Sequence, residues 1–188
     1  MLLTPWRILA IYNGSMHSVG GQTFFEPGSV VWDVASSDKF EAIAEIIHRS
    51  SAFKKIPDLD LTVFTNKVIE RELEQSTGFG HGIGVAHGRM ACVEESTIAL
   101  GVSRQGIEYG AIDGKPVHLL FIVANHPEKH VDYLKILSCL ITLVRDDTFR
   151  KQLLGCVRRE EVEEKMQYAF HSVLENRDRF SYDTRRAM

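Results

Sequence analysis

Thr77-Gly78-Phe79-Gly80-His81-Gly82-Ile83-Gly84-Val85-Ala86-His87-Gly88-Arg89 is the stretch on which the reading of this chain turns. Glycine at 78, 80, 82, 84 and 88 frees the backbone for positive-φ turns and for close approach of a second backbone or a ligand. That freedom has an entropic cost which an ordinary surface loop has no reason to carry. The apolar run from Ile83 to Ala86 reads as a strand leaving this glycine loop. Two side chains in the stretch can do chemistry, His81 and His87, and His87 follows the strand directly.

Upstream, Asp60 is suited to N-cap a helix over 60–74, with Leu61, Phe64 and Val68 as its buried stripe and Arg71 near its end, just before the glycines. Asp38 with Glu41 has capping-box spacing, and Phe40, Ile43, Ala44 and Ile47 follow at helical intervals, which predicts a helix over 38–50. The β-branched and aromatic run Val30 to Val34 predicts a strand. Before it, the apolar patches Trp6–Tyr12 and Thr23–Phe25 are separated by turn pairs and read as a strand pair or a loose arm.

Downstream, Thr97–Val102 predicts a strand, Asp113-Gly114 a hairpin turn, and Val117–Ala124 a strand buried on both faces. Pro127 suits a first helical position, and a helix from Val131 to Val144 carries apolar residues on more than one face, as a central helix does. A short helix over 148–154 is expected to stop near Gly155. Beyond it, Val162, Met166, Ala169, Phe170 and Val173 keep a helical period in a charged stretch, which reads as a docking or self-association helix, a homodimer included. Strands alternating with helices around at least one hairpin make the fold α/β, a mixed sheet with helices on both faces.

Composition narrows the function. A chain of 188 residues with 44% hydrophobic content builds one full core, hence a single domain with terminal extensions. Net charge −3 and a pI near 6.2 leave no basic footprint for nucleic acid. Cys92, Cys139 and Cys156 are odd in number and lack metal-binding spacing, which fits a reducing cytoplasm. Pro5 and Arg7 interrupt the apolar start, against a signal peptide, and no run has the length of a membrane span, so any membrane association is peripheral at most.

Three chemistries compete for the central stretch. Dinucleotide binding fails because the third glycine of G-x-G-x-x-G is Ile83, Val85 or His87 in the three registers. A metal site built on His126 and His130, four apart, with His81 or His87, lacks the acidic partner of H-E-x-x-H. Solvated loop histidines are the plainer reading, and neither a metal nor another cofactor is expected. Phosphoryl transfer needs a neutral imidazole, a positive group to spread charge off the phosphoryl oxygens and a cradle of N–H donors. His87, with Arg71 and Arg89 for charge and the glycine amides for a cradle, meets that list; a structural histidine is the alternative that the residues leave open.

Arg71-Glu72, Ser76 to Gly80 and Ile83 through His87-Gly88-Arg89 resemble the signature of the mannitol/fructose/nitrogen-regulatory class of EIIA proteins of the bacterial phosphotransferase system. The likeness extends through Asp38-Lys39, Ile107 to Val117 and Leu134 to Leu137, over roughly residues 25–155. It implies a mixed five-stranded sheet flanked by helices, with residues 1–24 and an amphipathic helical 156–188 as extensions. It also implies a histidine that takes phosphate from the phosphocarrier HPr or its nitrogen-branch paralogue. The family's phosphorylated histidine falls on His87 and its active-site arginine on Arg71; Thr77, Gly78, Gly80, Arg89 and Tyr133 fall around the phosphoryl group.

Three departures stand out. Ala86 replaces the usual proline and Gly84 a usual alanine, which is expected to loosen the loop. Tyr133 stands where the family has a second histidine, and a phenol cannot supply an imidazolium charge. That places onward transfer to an EIIB in question, with His130, one helical turn earlier, as a substitute. A regulatory carrier is therefore expected first, supported at this stage by the absence of a fused EIIB or membrane domain. A sugar-specific EIIA feeding an EIIB and permease, and a non-phosphorylated binding module, are the alternatives.

Overall fold

The structure, a computed structural model, describes residues 24, 25 and 27–186, beyond residue 175 by their backbone alone. The Trp6–Tyr12 patch and Thr23 lie outside the described residues. In chain order the elements are β1 (Val30–Val31), α1 (Lys39–Arg49), α2 (Ser51–Lys54), α3 (Leu61–Glu74), β2 (Gly78–Gly80), β3 (Ile83–Arg89), β4 (Thr97–Ile107), β5 (Val117–Asn125), α4 (His130–Val144), α5 (Asp147–Leu154) and α6 (Arg159–Arg186). The strands form one five-stranded mixed sheet in the order β1-β4-β5-β3-β2. β5 pairs parallel with β3 and antiparallel with β4, β1 lies parallel to β4, and β2 lies antiparallel to β3.

Because side chains alternate across a strand, each buried strand feeds two cores. On one face Leu119, Phe121 and Val123 of β5 pack with Ile136 and Leu140 of α4, Phe149 of α5 and Met166 and Phe170 of α6. On the other, Leu120 and Ile122 pack with Ile43 and Ile46 of α1 and with Phe64 and Val68 of α3. Phe64 and Val68 are both 0% exposed, and burial on this scale stabilises by about 1.5–3 kcal/mol per side chain. α1 starts where Asp38 accepts from the Phe40 and Glu41 amides, and α3 where Asp60 accepts from those of Thr62 and Val63, as the sequence predicts.

Several expected boundaries move. β1 stops at Val31 because Asp33 takes a φ of 51°, and Val34 bonds β4 singly through its amide to the Val102 carbonyl. β4 runs on past Val102 to Ile107, with a register shift after Val102 and Gly106 at φ 89°. Pro127 does not begin a helix: it sits in a turn closed by the Lys129 amide on the His126 carbonyl, and α4 starts at His130.

α4 buries its later turns, but Val131 and Leu134 at its start are 66% and 59% exposed. The α6 stripe is not free for self-association over its described part. Val162, Met166 and Phe170 are buried in the molecule's own core, where Phe170 meets the rings of Phe24 and Phe25. The Glu163 carboxylate further ties α6 to β1 by accepting from the Gly28 and Val30 amides at 2.7 and 3.3 Å.

Candidate functional site

The glycine stretch is a hairpin rather than a loop. β2 and β3 join through His81 and Gly82, whose φ values of 55° and 77° are positive at both central positions, as a type I′ turn requires. The His81 amide donates to the Asp113 carboxylate at 2.8 Å, and the Asp113-Gly114 turn closes where the Gly114 amide reaches the Ala111 carbonyl. Asp113-Gly114 is thus part of the longer β4–β5 connection and braces the hairpin tip.

His87 lies at the other end of β3. Its register partner is Val123 of the central strand β5, and its side chain shares a sheet face with Ile83 and Val85, the face that α4 covers. The residue is 8% exposed. Tyr133 of α4 stacks on it, with centroids 4.6 Å apart at 32°, and the phenol oxygen is 3.1 Å from Nδ1. The next residue, Gly88, faces the opposite side, where an added Cβ would meet Phe64 and Val68 at 2.8 Å each. A glycine there lets α3 lie close against β3. Arg71, one turn beyond Val68, thereby lines the same cavity as His87.

That cavity holds about 400 Å³ and is lined by Lys67, Glu70, Arg71, Glu74, His87, Gly88 and Arg89. Burial pushes the His87 imidazole down to about 4, and the Arg71 and Arg89 guanidiniums push the same way. The ring is therefore neutral at pH 7. Burial raises the Tyr133 phenol, with the two arginines opposing, so Tyr133 keeps its proton. In the tautomer with hydrogen on Nδ1, that N–H donates to the Tyr133 oxygen and Nε2 carries the free lone pair.

The remaining candidates separate. Gly78 pairs with Gly84 and Gly80 with Ile83, so at ~3.3 Å per residue Gly80 lies about 13 Å along the strand from His87. Neither amide cradles that ring. Thr77 is tied to Glu72 and Tyr109, and the Arg71 guanidinium donates to the Gln75 carbonyl at 3.2 Å. Tyr133, not His130, meets His87; His130 is exposed at the start of α4. His126 lies outside that helix, its Nδ1 accepting from the Glu128 amide, so His126 and His130 do not share a helix face.

Ala86 and Gly84 do not lie in a loop. Both sit inside β3 in register with Ile122 and Leu120 of β5, and Gly84 makes room for Leu120 and the Tyr109 ring. Lys67 was legible only as the residue four before Arg71 on one helix face. The carboxylates Glu70 and Glu74 on the rim gave no sequence signal.

A neutral imidazole and two guanidiniums line one open cavity on a five-stranded α/β scaffold, an arrangement with the charge to suit an anionic group. Comparison with known proteins gives the class. The family described as "Phosphoenolpyruvate-dependent sugar phosphotransferase system, EIIA 2" matches residues 23–168. The chain is 34% identical over 122 residues to the fructose-specific EIIABC component of Bacillus subtilis; the match spans 65% of this chain and only 19% of that longer protein. It is 33% identical over 110 residues to the fructose-specific EIIA component of Haloferax volcanii, spanning 58% of this chain and 70% of that one. Among solved structures, nitrogen regulatory protein IIA-Ntr from Neisseria meningitidis superposes with a TM-score of 0.66 at 28% identity, covering 74% of this chain and 94% of its own.

The chain belongs to the EIIA 2 family of the phosphoenolpyruvate-dependent sugar phosphotransferase system. EIIA domains are phosphotransferase components that carry a phosphohistidine. No helix among the described residues is long and apolar enough to cross a membrane.

Proposed function

We propose that this protein is a regulatory phosphoryl carrier that accepts phosphate on Nε2 of His87 from HPr or its nitrogen-branch paralogue in the cytoplasm. One observation carries the reading: His87 is held neutral at the edge of a cavity that Arg71 and Arg89 make positive. The Nε2 lone pair attacks the donor's phosphorus, the bond from phosphorus to the donor breaks, and its electron pair leaves with the donor. The Nδ1 proton stays on the ring, hydrogen-bonded to Tyr133. Arg71 and Arg89 offset charge on the phosphoryl oxygens, an electrostatic contribution that grows in a site shielded from water.

Tyr133 favours regulation over onward transfer, because a protonated phenol adds no positive charge when the phosphoryl group departs. The alternative is a sugar-specific EIIA that passes phosphate to an EIIB and a permease, favoured by the fructose-specific relatives. The exposed Val131 and Leu134 beside Tyr133 offer apolar surface to either partner.

The test is incubation with phosphoenolpyruvate, enzyme I and HPr, followed by intact mass. The expected result is an acid-labile gain of one phosphate; no gain with any donor leaves only a binding module on this fold. Candidate EIIB proteins added next separate the two carrier readings, since the regulatory one predicts retention of the phosphate.

A further inference from the structure

Glu72 is a buried carboxylate with no part in the chemistry above. Its side chain is 0% exposed, and an unpaired charge so placed would be strongly destabilising. Its partners come from three separate segments of the chain. The Thr77 amide donates to both carboxylate oxygens, at 3.0 and 3.2 Å, and the Thr77 hydroxyl donates to one of them. The Lys39 ammonium of α1 lies 3.6 Å away and also stands 5.7 Å over the Tyr109 ring. Tyr109, itself 1% exposed, closes the group with its hydroxyl 3.2 Å from that of Thr77. Lys39, Glu72, Thr77 and Tyr109 lie in separate segments that carry the family resemblance, and here they form one cluster around the buried carboxylate.

The cluster has a direction. Glu72 fixes Thr77, and Thr77 anchors the hairpin because its carbonyl accepts from the Val85 amide at 3.2 Å, two residues before His87. Between Glu72 and Thr77 the chain turns through Gln75, which takes extended angles (φ −163°, ψ 129°) as α3 ends. The Gln75 carbonyl is the acceptor that holds the Arg71 guanidinium. Residues 71 and 72 thus grip the same corner, one from the cavity side and one from inside the protein.

We propose that Glu72 is a positioning residue for Arg71: by pinning the corner 75–77 to α1 and Tyr109, it fixes the carbonyl against which the guanidinium rests beside His87. The inference rests on the reading of His87 as phosphoryl acceptor for its kinetic consequence, but not for its structural one. Misplacing a charged group by about 1 Å commonly costs on the order of a hundredfold in rate. Loss of Glu72 is accordingly expected to slow phosphate acceptance by about tenfold to a hundredfold.

The sign of the His87 titration distinguishes positioning from mere charge or stability. Removing a negative charge near an imidazole lowers its titration midpoint. Displacing Arg71, which helps hold that midpoint down, raises it. The experiment is an NMR titration of His87 in the full chain, alongside thermal melting and phosphate uptake from HPr, for wild type, Arg71→Ala, Glu72→Gln and Thr77→Val. Support is an upward midpoint shift in Glu72→Gln in the direction of Arg71→Ala, a smaller one in Thr77→Val, and slowed uptake.

A folded Glu72→Gln with an unmoved or lowered midpoint overturns the proposal, as does an Arg71→Ala midpoint equal to wild type. If Glu72→Gln does not fold, Thr77→Val decides by the same criterion. Should wild type take no phosphate while both midpoints rise, the carrier reading fails and the positioning role stands.

Discussion

The two histidines of the hairpin sit six residues apart on chemically similar sequence, yet the structure treats them in opposite ways. His81 forms the exposed tip, its φ of 55° imposed by the turn and its amide held by Asp113. His87 sits where β3 passes between α3 and α4, 8% exposed, stacked under Tyr133 and flanked by two guanidiniums. The difference teaches that the glycines serve geometry at two scales. At the tip they permit positive φ; at the far end Gly88 lets a helix carrying Arg71 lie against the strand. Of the two ends, chemistry collects at the second because charge and burial coincide there.

The sharpest break of that contrast is a pair of substitutions. His87→Ala is expected to abolish the gain of one phosphate measured by intact mass, while His81→Ala keeps it; uptake lost in His81→Ala and kept in His87→Ala would reverse the assignment. Next in size, Arg71→Ala is expected to slow single-turnover acceptance by about 10²–10³-fold, the usual cost of one charge-stabilising donor. A rate within twofold of wild type would remove Arg71 from the site.

The third prediction is the pH profile. The folded His87 titrates at about 4 against an ordinary 6.5, so the folded chain binds fewer protons than the unfolded one. The stability linked to it is complete above about pH 6.5 and drains as pH falls toward 4. Acceptance from a preformed phospho-donor should stay flat from about pH 8 to 5 and fall only near 4. An inflection near 6.5 would mean that the His87 ring is solvated rather than buried.

The fourth is Gly88→Ala. Its Cβ would meet Phe64 and Val68 at 2.8 Å, and overpacking of this kind costs about 1–3 kcal/mol in chemical denaturation. The smallest is Tyr133→Phe, which loses one hydrogen bond of about 1 kcal/mol and should slow acceptance about fivefold. Tyr133→His at the same position is expected to speed onward transfer to an EIIB, and an unchanged rate there would mean that the position does not govern release.

Local physics made much of this legible in advance. Asp38 and Asp60 cap their helices because an N-cap acts on amides two and three residues away, and β5 announces itself by an unbroken apolar run. Long-range pairing hid the rest. Gly78 and Gly80 look like neighbours of His87 in sequence, but an antiparallel register carries them away from it. The periodic stripe of α6 looks like an interface because nothing in the sequence says that Phe24, Phe25 and the sheet already cover it. Pro127 suits either a helix start or a turn, and the hydrogen bond from Lys129 to His126 selects the turn. Glu72 enters the sequence reading only as part of the Arg71-Glu72 signature, and its burial shows only once Lys39, Thr77 and Tyr109 close over it.

The order of residues, by itself, determined the capped helices, the apolar central strand and the family, since each rests on interactions within a few residues or on a linear motif. Tertiary structure decided how deeply His87 is buried, how far its titration is depressed, that the Tyr133 ring stacks on it, and that a buried carboxylate braces the corner. Those properties depend on desolvation and on distances between segments far apart in the chain. Neither quantity exists until the two cores have closed on the sheet.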